Sequence, residues 1–481
     1  MKRLVPAILA MSALAAGAAV GGAAPAAQAA TAVGGWSKAV GVPGLAALNK
    51  GGQAEVTGVS CVTAGSCTAG GDYTGSHHGV QGFVADERHG RWGKAIEIPG
   101  LAALNVGGDA VVRPVACGSA GNCAVGGAYA YDQTGFRFSS FIATERGGRW
   151  SKAVSLDRDG GVYSISCASA GDCVAAGGAT DSIGEYYLIG DAFVLQEQGG
   201  HWGSIKFIPG LQTLEGNGDP EIAGSWVTSV DCPSAGNCAA GGTYIDKDQK
   251  AHGFVAVETS GSWGTAIEVP GLTALSTSGN AQVNSVSCDS TGNCVAGGNY
   301  TGNSVQAFVA VETSGTWGTA IPVPGLAALN AGGNAQVTSM SCGAVSSCAA
   351  TGSYLDGRQH KQGFVVSEHD GTWGKAIPVP GLALLNKGGT AGPDQISCGS
   401  AGHCTVAGAY FDRIRHTQGF VAVERSGVWS KAIPVPGLIA LNTGGDAAAT
   451  TVSCPARGAC VAGGSYRDHS KHHQGFVAQG S

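Results

Sequence analysis

VTSMSC at 337–342, CAATGSY at 348–354, QGFVVSE at 362–368 and GTWGKAIPVPG at 371–381 decide the fold. Each string is rich in Val, Ile, aromatic and Ser/Thr residues. Gly, Asn, Ser or Pro separate them, so each reads as a short strand bounded by turns. Four strands, A to D in that order, recur along the whole chain. Trp36, Trp92, Trp150, Trp202, Trp263, Trp317, Trp373 and Trp429 mark strand D, at spacings of 56, 58, 52, 61, 54, 56 and 56 residues. A fixed period in this range signals a repeat architecture. Helical periodicity is confined to PGLAALN-type segments, too short for more than a turn or two.

Four antiparallel strands repeated radially form a β-propeller blade. The first repeat element after residue 30 is a lone strand D (Gly35 to Val42), and the last is a lone strand C (Gln474 to Gln479). The expected fold is therefore all-β: an eight-bladed β-propeller whose N-terminal strand completes the last blade. Such a joint removes two exposed sheet edges. The expected domain organisation is a leader over 1–29 and one propeller domain over 30–481.

These strings carry a resemblance. The V-x-S-V-S-C…C-V-A-G-G-S-Y order resembles the A and B strands of WD-repeat propellers. The E-x-x-G-x-W turn, as at Glu424 to Trp429, is similar to the Asp-box turn of sialidase-like propellers, although the Ser and Asp of a true Asp box are missing. Secreted actinobacterial propellers with paired cysteines are the nearest resemblance overall, over roughly 31 to 481. The resemblance implies a fold and no particular activity.

Only 12% of residues are charged and the net charge is −6, which excludes the basic surface of a nucleic-acid binder. The 82 glycines are spread through turns rather than pooled in linkers. Met1 to Ala29 reads as a secretory signal: Lys2 and Arg3, an apolar run from Leu4 to Val20, then Ala27-Gln28-Ala29 as a small-residue cleavage site. No other run reaches the roughly 18 apolar residues of a membrane span. The expected location is extracellular.

All sixteen cysteines form pairs six apart: Cys61/Cys67, Cys117/Cys123, Cys167/Cys173, Cys232/Cys238, Cys288/Cys294, Cys342/Cys348, Cys398/Cys404 and Cys454/Cys460. Each pair brackets an A–B turn. Residues flanking such a turn face one another about 4.5–5.5 Å apart, within disulfide range. Export provides the oxidising environment, so eight local disulfides are expected.

The recurrent Trp of strand D and the Phe of strand C (Phe83, Phe254, Phe308, Phe364, Phe420, Phe476) are expected to pack between blades. Both Leu residues of each PGLxALN segment should tuck in beside them. Asn49, Asn105, Asn330, Asn386 and Asn442, each followed two residues later by Gly, suit a turn exit.

The A–B and C–D turns share one face and are short and repetitive. The D–A segments and B–C loops share the other, where the chain varies, so binding is sought there. The largest departures from the repeat run across blades two to four. Tyr131, Phe136, Arg137 and Phe138 lie in an enlarged loop; Asp157 and Asp159 replace a PGLxALN segment; Glu185, Tyr186 and Tyr187 sit in another loop; Trp226 is off the repeat position. Aromatics beside carboxylates and an arginine offer a stacking plane with hydrogen-bond partners. His77 and His78 could approach His472 and His473 where blades one and eight meet, a conceivable metal set.

No G-x-S-x-G elbow, H-E-x-x-H pair or phosphate-binding loop is present, and no cofactor motif. The expected function is binding of an extracellular glycan or cell-envelope ligand by a monomeric, lectin-like protein. Two alternatives stand beside it: a platform for a secreted or surface protein in an exported assembly, and a polysaccharide hydrolase or lyase using Glu185, Asp157 and Asp191.

Overall fold

The computed structural model describes residues 35–76, 79–135, 137–179, 182–183, 186–187, 190–216 and 224–480. The leader expected over 1–29 lies outside them, as do His77, His78, Phe136 and Glu185.

The chain is all-β, built from repeated four-stranded antiparallel units. In the first, strand A is Ala54–Thr63, B is Ser66–Thr74 and C is Val80–Arg88. Strand D is broken into Arg91–Trp92 and Ile96–Glu97, both pairing with C. Strand Val40–Gly41 pairs antiparallel with Val477 and Phe476 and so completes the sheet of the last unit. The A strands of successive units touch one another, and the last, Ala447–Ala456, touches the first, so they surround a common axis.

Apolar clusters form between neighbouring units. One joins Ala239 and Val255 of unit 4 to Leu272, Val283 and Phe308 at unit 5. Another joins Val461 and Val477 of unit 8 to Val56 and Phe83 of unit 1. The repeat phenylalanines are wholly buried. The tryptophans divide: Trp36, Trp317 and Trp373 are buried, and the others are half-buried beside the solvent-facing outer strand. The first Leu of each link is fully buried and the second is partly buried against the same inter-unit clusters, as Leu48, Leu275 and Leu329 are. Link asparagines do more than end a turn: Asn105 Nδ2 donates to the carbonyl of Val80 at 2.8 Å, pinning the link to strand C.

All eight disulfides are present, with Cα–Cα distances of 3.9–4.1 Å. This is closer than the expected 4.5–5.5 Å. Cys61 and Cys67 are direct cross-strand partners, and the register slips just beyond them, drawing the strands together.

The second cysteine of most pairs is buried: Cys67, Cys123, Cys173, Cys238, Cys294, Cys348 and Cys404. The reason is its place in the sheet. It lies in or at the start of strand B, inside the sheet, and in most units packs in the apolar cluster shared with the preceding unit. Cys173 lies with Ala116 and Ala124 of unit 2, Cys238 with Val174 and Ala176 of unit 3, Cys294 with Ala239 of unit 4, and Cys348 with Val295 of unit 5. These cysteines are core residues as well as cross-links, and their sulfur replaces the larger apolar side chain a blade interface would otherwise need.

Two hydrogen-bond latches hold unit to unit. Three residues and one residue before the first Cys of each unit, a side-chain oxygen accepts backbone N–H groups of the next A strand. Thus Ser285 accepts from Met340 at 3.0 Å and Ser287 from Cys342 at 3.1 Å. Thirteen of these sixteen positions are latched, including Thr451 to Val59 and Ser453 to Cys61 between the last unit and the first. Near the rim, the N–H of an alanine in strand D donates to a proline carbonyl of the preceding link, as Ala39 does to Pro436 and Ala95 to Pro43, both at 2.7 Å.

The joint between units 2 and 3 lacks both latches. Pro114 and Ala116 stand where most other units carry Ser, Thr, Asp or Gln acceptors, and the Pro-Gly link is missing. One 16-residue strand, Val154–Ser169, runs across instead. Its start pairs with strand C of unit 2 and its remainder with strand B of unit 3.

Candidate functional site

The A strand of every unit carries a bulge four residues before its first Cys. In unit 1 the pairing jumps from Val56–Gly71 to Gly58–Gly70 and leaves Thr57 out of register. Bulges re-aim side chains and recur beside binding sites. Around the axis this position is Thr57, Arg113, Tyr163, Thr228, Asn284, Thr338, Asp394 and Thr450. The position six before the Cys is Glu55, Val111, Gly161, Trp226, Gln282, Gln336, Gly392 and Ala448. Arg113 and Asp394 are exposed although their strands are innermost, so the A strands leave a solvent-accessible lumen along the axis. The six-before residues lie near the start of strand A, at the mouth on the D–A/B–C face.

The lumen wall is chemically uneven. On one side stand Glu55 and, directly opposite it on strand B, Asp72. Asp72 Oδ1 accepts the N–H of Val112 at 2.6 Å. Burial raises the Asp72 carboxyl to about 7; the Val112 N–H and Arg113 pull it down, while Glu55 and Asp109 push it up. Burial also raises Glu55. Asp394 is raised to about 6 by burial, with Lys361 opposing and Glu55 adding. Asp394 touches solvent, yet the lumen walls displace much of the bulk water around it, and that is why its charge is disfavoured.

Beside the acids the wall turns aromatic. The Arg113 guanidinium lies over the Tyr163 ring, 5.8 Å from its centroid. Two glycines make room here. A Cβ at Gly161 would fall 2.9 Å from the Tyr163 ring, and one at Gly178 would fall 2.8 Å from the Cβ of Trp226. Beyond Trp226 the wall carries amides: Gln282 Nε2 donates to Asn299 Oδ1 at 2.8 Å, and Asn284 Nδ2 donates to the Val337 carbonyl at 2.7 Å.

The structure brings some of the sequence candidates together. Tyr131 donates its hydroxyl to Asp159 Oδ2 at 3.2 Å. Arg137 is hydrogen-bonded to Tyr131, which raises its pKa, with Asp132 and Asp159 adding. Asp157, at a φ of 48°, instead takes the Ser155 hydroxyl at 2.8 Å. Phe138 begins strand C of unit 2 opposite Ala130. Tyr186–Tyr187 forms a two-residue strand with Ser182–Ile183. Trp226 lies elsewhere, on the axial wall of unit 4. Glu55, Asp72, Tyr163 and Asp394 were missed by sequence reasoning. For Glu55, Tyr163 and Asp394 the available signal was a charged or aromatic residue four or six before a Cys where the repeat has Thr, Gly or Gln; Asp72, on strand B, falls outside that pattern.

The histidines have local roles. The N–H of His472 donates to Asp468 Oδ1 at 3.0 Å, as His360 does to Asp356 and His416 to Asp412, so each Asp closes its own B–C turn. His473 Nε2 lies 3.7 Å from Asp446. Among the described residues, no group of three or more His, Cys, Asp or Glu is placed to hold a metal ion. No helix among them is long and apolar enough to cross a membrane.

The disulfide face carries clefts between neighbouring units. One of about 260 Å³ between units 1 and 2 is lined by Asp86, Glu87, Arg88 and Glu145. One of about 330 Å³ between units 3 and 4 holds Glu197 and Glu258. The glutamate ending strand C recurs here as a linker between units: Arg88 donates to Glu145 at 2.9 Å, Arg146 to Glu197 at 2.7 Å, and Gln479 to Glu87.

No family model matches the chain, and no curated protein matches it. Among solved structures it is similar to the β-propeller domain of the Trilobed protease from Pyrococcus furiosus, at 7% identity over 80% of this chain and 95% of that one, with a TM-score of 0.44. It is similar to the Pyrococcus horikoshii acylaminoacyl peptidase at 8% identity over 87% of this chain and 58% of that one, TM-score 0.44. It is also similar to the Trypanosoma rangeli sialidase in complex with the inhibitor DANA, at 10% identity over 64% and 53%, TM-score 0.35. At these identities none of the three bears on the chemistry of the lumen.

Proposed function

We propose that this chain is an exported eight-bladed β-propeller, closed by its N-terminal strand, that binds a hydroxyl-rich glycan at the axial mouth of its D–A/B–C face. The observation carrying this reading is the composition of the lumen wall: carboxylates at Glu55, Asp72 and Asp394, aromatics at Tyr163 and Trp226, and amides at Gln282, Asn284 and Asn299. Sugar hydroxyls pair with carboxylate and amide groups, and the apolar face of a pyranose stacks on an aromatic ring. The loop cluster of Tyr131, Arg137 and Asp159 offers a second polar and aromatic set on units 2 and 3. Eight disulfides and unit-to-unit latches support a rigid frame, which lowers the ordering cost of binding.

A glycan array followed by calorimetry on the hits tests this. Trp226→Ala should weaken binding by roughly 10-fold or more, in line with loss of a stacking residue at a binding site. Absence of any glycan binder, or a hit unaffected by both Trp226→Ala and Glu55→Gln, would overturn it. Product release from the bound oligosaccharide would move the reading to the hydrolase alternative.

A further inference from the structure

Resting on the glycan-binding reading, we propose that the ligand carries positive charge: the axial mouth selects a polymer of free amino sugars over neutral or acidic ones. The geometry of the acids carries this. Glu55 and Asp72 are directly opposed on antiparallel strands, a placement that sets side chains about 4.5–5.5 Å apart at Cβ and makes like charges repel. Asp72 has one oxygen committed to the Val112 N–H. Among the described residues, no Lys, Arg or His nitrogen forms an ion pair with Glu55, Asp72 or Asp394. Glu55 and Asp394 have no hydrogen-bond partner there either.

The one arginine on the wall stacks on Tyr163 rather than closing on a carboxylate. The acids therefore lack an ion-paired cation among the described residues: Arg113 acts on Asp72 and Lys361 on Asp394 only from beyond ion-pair distance, and the aromatic residues Tyr163 and Trp226 stand two and three units along the ring from Glu55. A protonated sugar amine placed beside the acids relieves their repulsion and donates to the free oxygens, while another sugar of the same polymer stacks on an aromatic face. An acidic sugar meets the opposite field and finds a single arginine, Arg113, at the sixteen axial positions.

The raised carboxyls fit this reading and fix its pH sense. Asp72 and Asp394 titrate at about 7 and about 6. The groups facing them are Glu55, Asp109 and Arg113 for Asp72, and Lys361 and Glu55 for Asp394. An ammonium bound beside them draws both downward, so binding releases protons.

The experiment is calorimetry at pH 6 on the full-length mature chain, with three oligosaccharide probes of equal length: β-linked glucosamine, its N-acetylated counterpart, and an oligogalacturonate. The expected result is at least about tenfold tighter binding of the free amine than of the acetylated sugar, as for a charged against a neutral hydrogen bond. Proton release, read from the buffer dependence of the heat, should accompany the amine alone. Glu55→Gln should weaken free-amine binding several-fold more than acetylated-sugar binding and so narrow the preference; an unchanged melting temperature checks its fold, and Asp72→Asn repeats the test at the opposed position. Equal or tighter binding of the acetylated or acidic sugar overturns the charge inference and leaves the glycan reading standing. Binding of no sugar overturns both.

Discussion

Ser285→Ala tests whether the unit-to-unit latches hold the ring. The Ser285 hydroxyl accepts the N–H of Met340 at 3.0 Å in a buried setting. Its removal leaves a buried strand N–H without a partner, at about 1–3 kcal/mol. Ser287→Ala at the same joint also frees the Cys342 N–H and breaks the contact with Asp231 Oδ2 at 3.1 Å. The converse change is available at the unlatched joint: Ala116→Ser puts a hydroxyl where every regular joint has an acceptor for the next Cys N–H, here that of Cys167. It should stabilise by about 0.5–1.5 kcal/mol. For Ala32–Ser481, about 450 residues, a melting entropy of ~2.1 cal/mol/K per residue converts each kcal/mol to roughly 1 °C. Calorimetry with intact disulfides should show Ser285→Ala lower by about 1–3 °C, the double variant lower still, and Ala116→Ser higher. If the serine-to-alanine changes leave the melting temperature within about 0.3 °C and Ala116→Ser does not raise it, the latches contribute nothing and the account of the ring fails.

Three further outcomes follow from the same interior. Trp36→Ala empties a site where the indole is 1% exposed and should cost about 3–5 kcal/mol, more than Trp92→Ala at a half-buried position; equal losses in urea titrations would contradict the role of the first strand in closing the last sheet. Burial raises Glu87, Glu145, Glu197, Glu258, Glu312, Glu368 and Glu424, with Glu145 at about 7. The folded state then holds protons that the unfolded chain has already lost, so this stability is fully present below the ordinary glutamate value of 4.5 and is lost as pH rises toward 7; the melting temperature should be higher at pH 5 than at pH 8, and the opposite order would refute the buried ring. Each disulfide closes a loop between cysteines six apart, worth about 2 kcal/mol on the chain-entropy model, so a thiol reductant should lower the melting temperature by far more than any single substitution here.

The repeat was legible because its signals are local. Period, turn residues and the Cys pairs sit within a few residues of one another, and strand order follows from them. The burial of Cys173, Cys238, Cys294 and Cys348 was not, because it depends on the neighbouring unit, some 50 to 60 residues away in the chain. The lumen was hidden for the same reason. Glu55 and Asp72 read as ordinary polar positions in strands A and B until pairing sets them opposite one another and the ring brings Arg113 to act on Asp72. Asp394 meets the field of Glu55 only because units 7 and 1 curve toward a common axis, although 339 residues separate them. Loop irregularity singled out Tyr131, Arg137 and Asp159, and in the structure Tyr131 hydrogen-bonds both of the others; the lengthened loop and the lost link are visible in sequence. It gave no sign of Tyr163, which sits at the bulge of a strand rather than in a loop. The latching serines were visible as S-x-S-C strings and passed for strand composition.

The joint between units 2 and 3 shows how stability and the lumen wall trade against each other. Arg113 and Pro114 precede Ala116 in the strand that should have carried the latching side chains, and Tyr163 enters on the facing strand with Gly161 cleared beside it. The joint thus gives up three latches: two inner acceptors and the proline carbonyl at the rim. It regains hold by other means. The strand Val154–Ser169 belongs to both sheets, Arg146 reaches the buried Glu197 at 2.7 Å, and Trp202 donates to Thr144 at 3.0 Å. Local rules are broken where the wall needs an arginine on an aromatic ring, and the repairs lie away from the lumen, as expected where a binding surface displaces a repeat's structural residues. The consequence is directional. Restoring Ser at 116 leaves Arg113 and Tyr163 untouched and should stabilise without altering the mouth, whereas restoring Thr at 113 removes the cation from the wall and should change ligand preference more than stability.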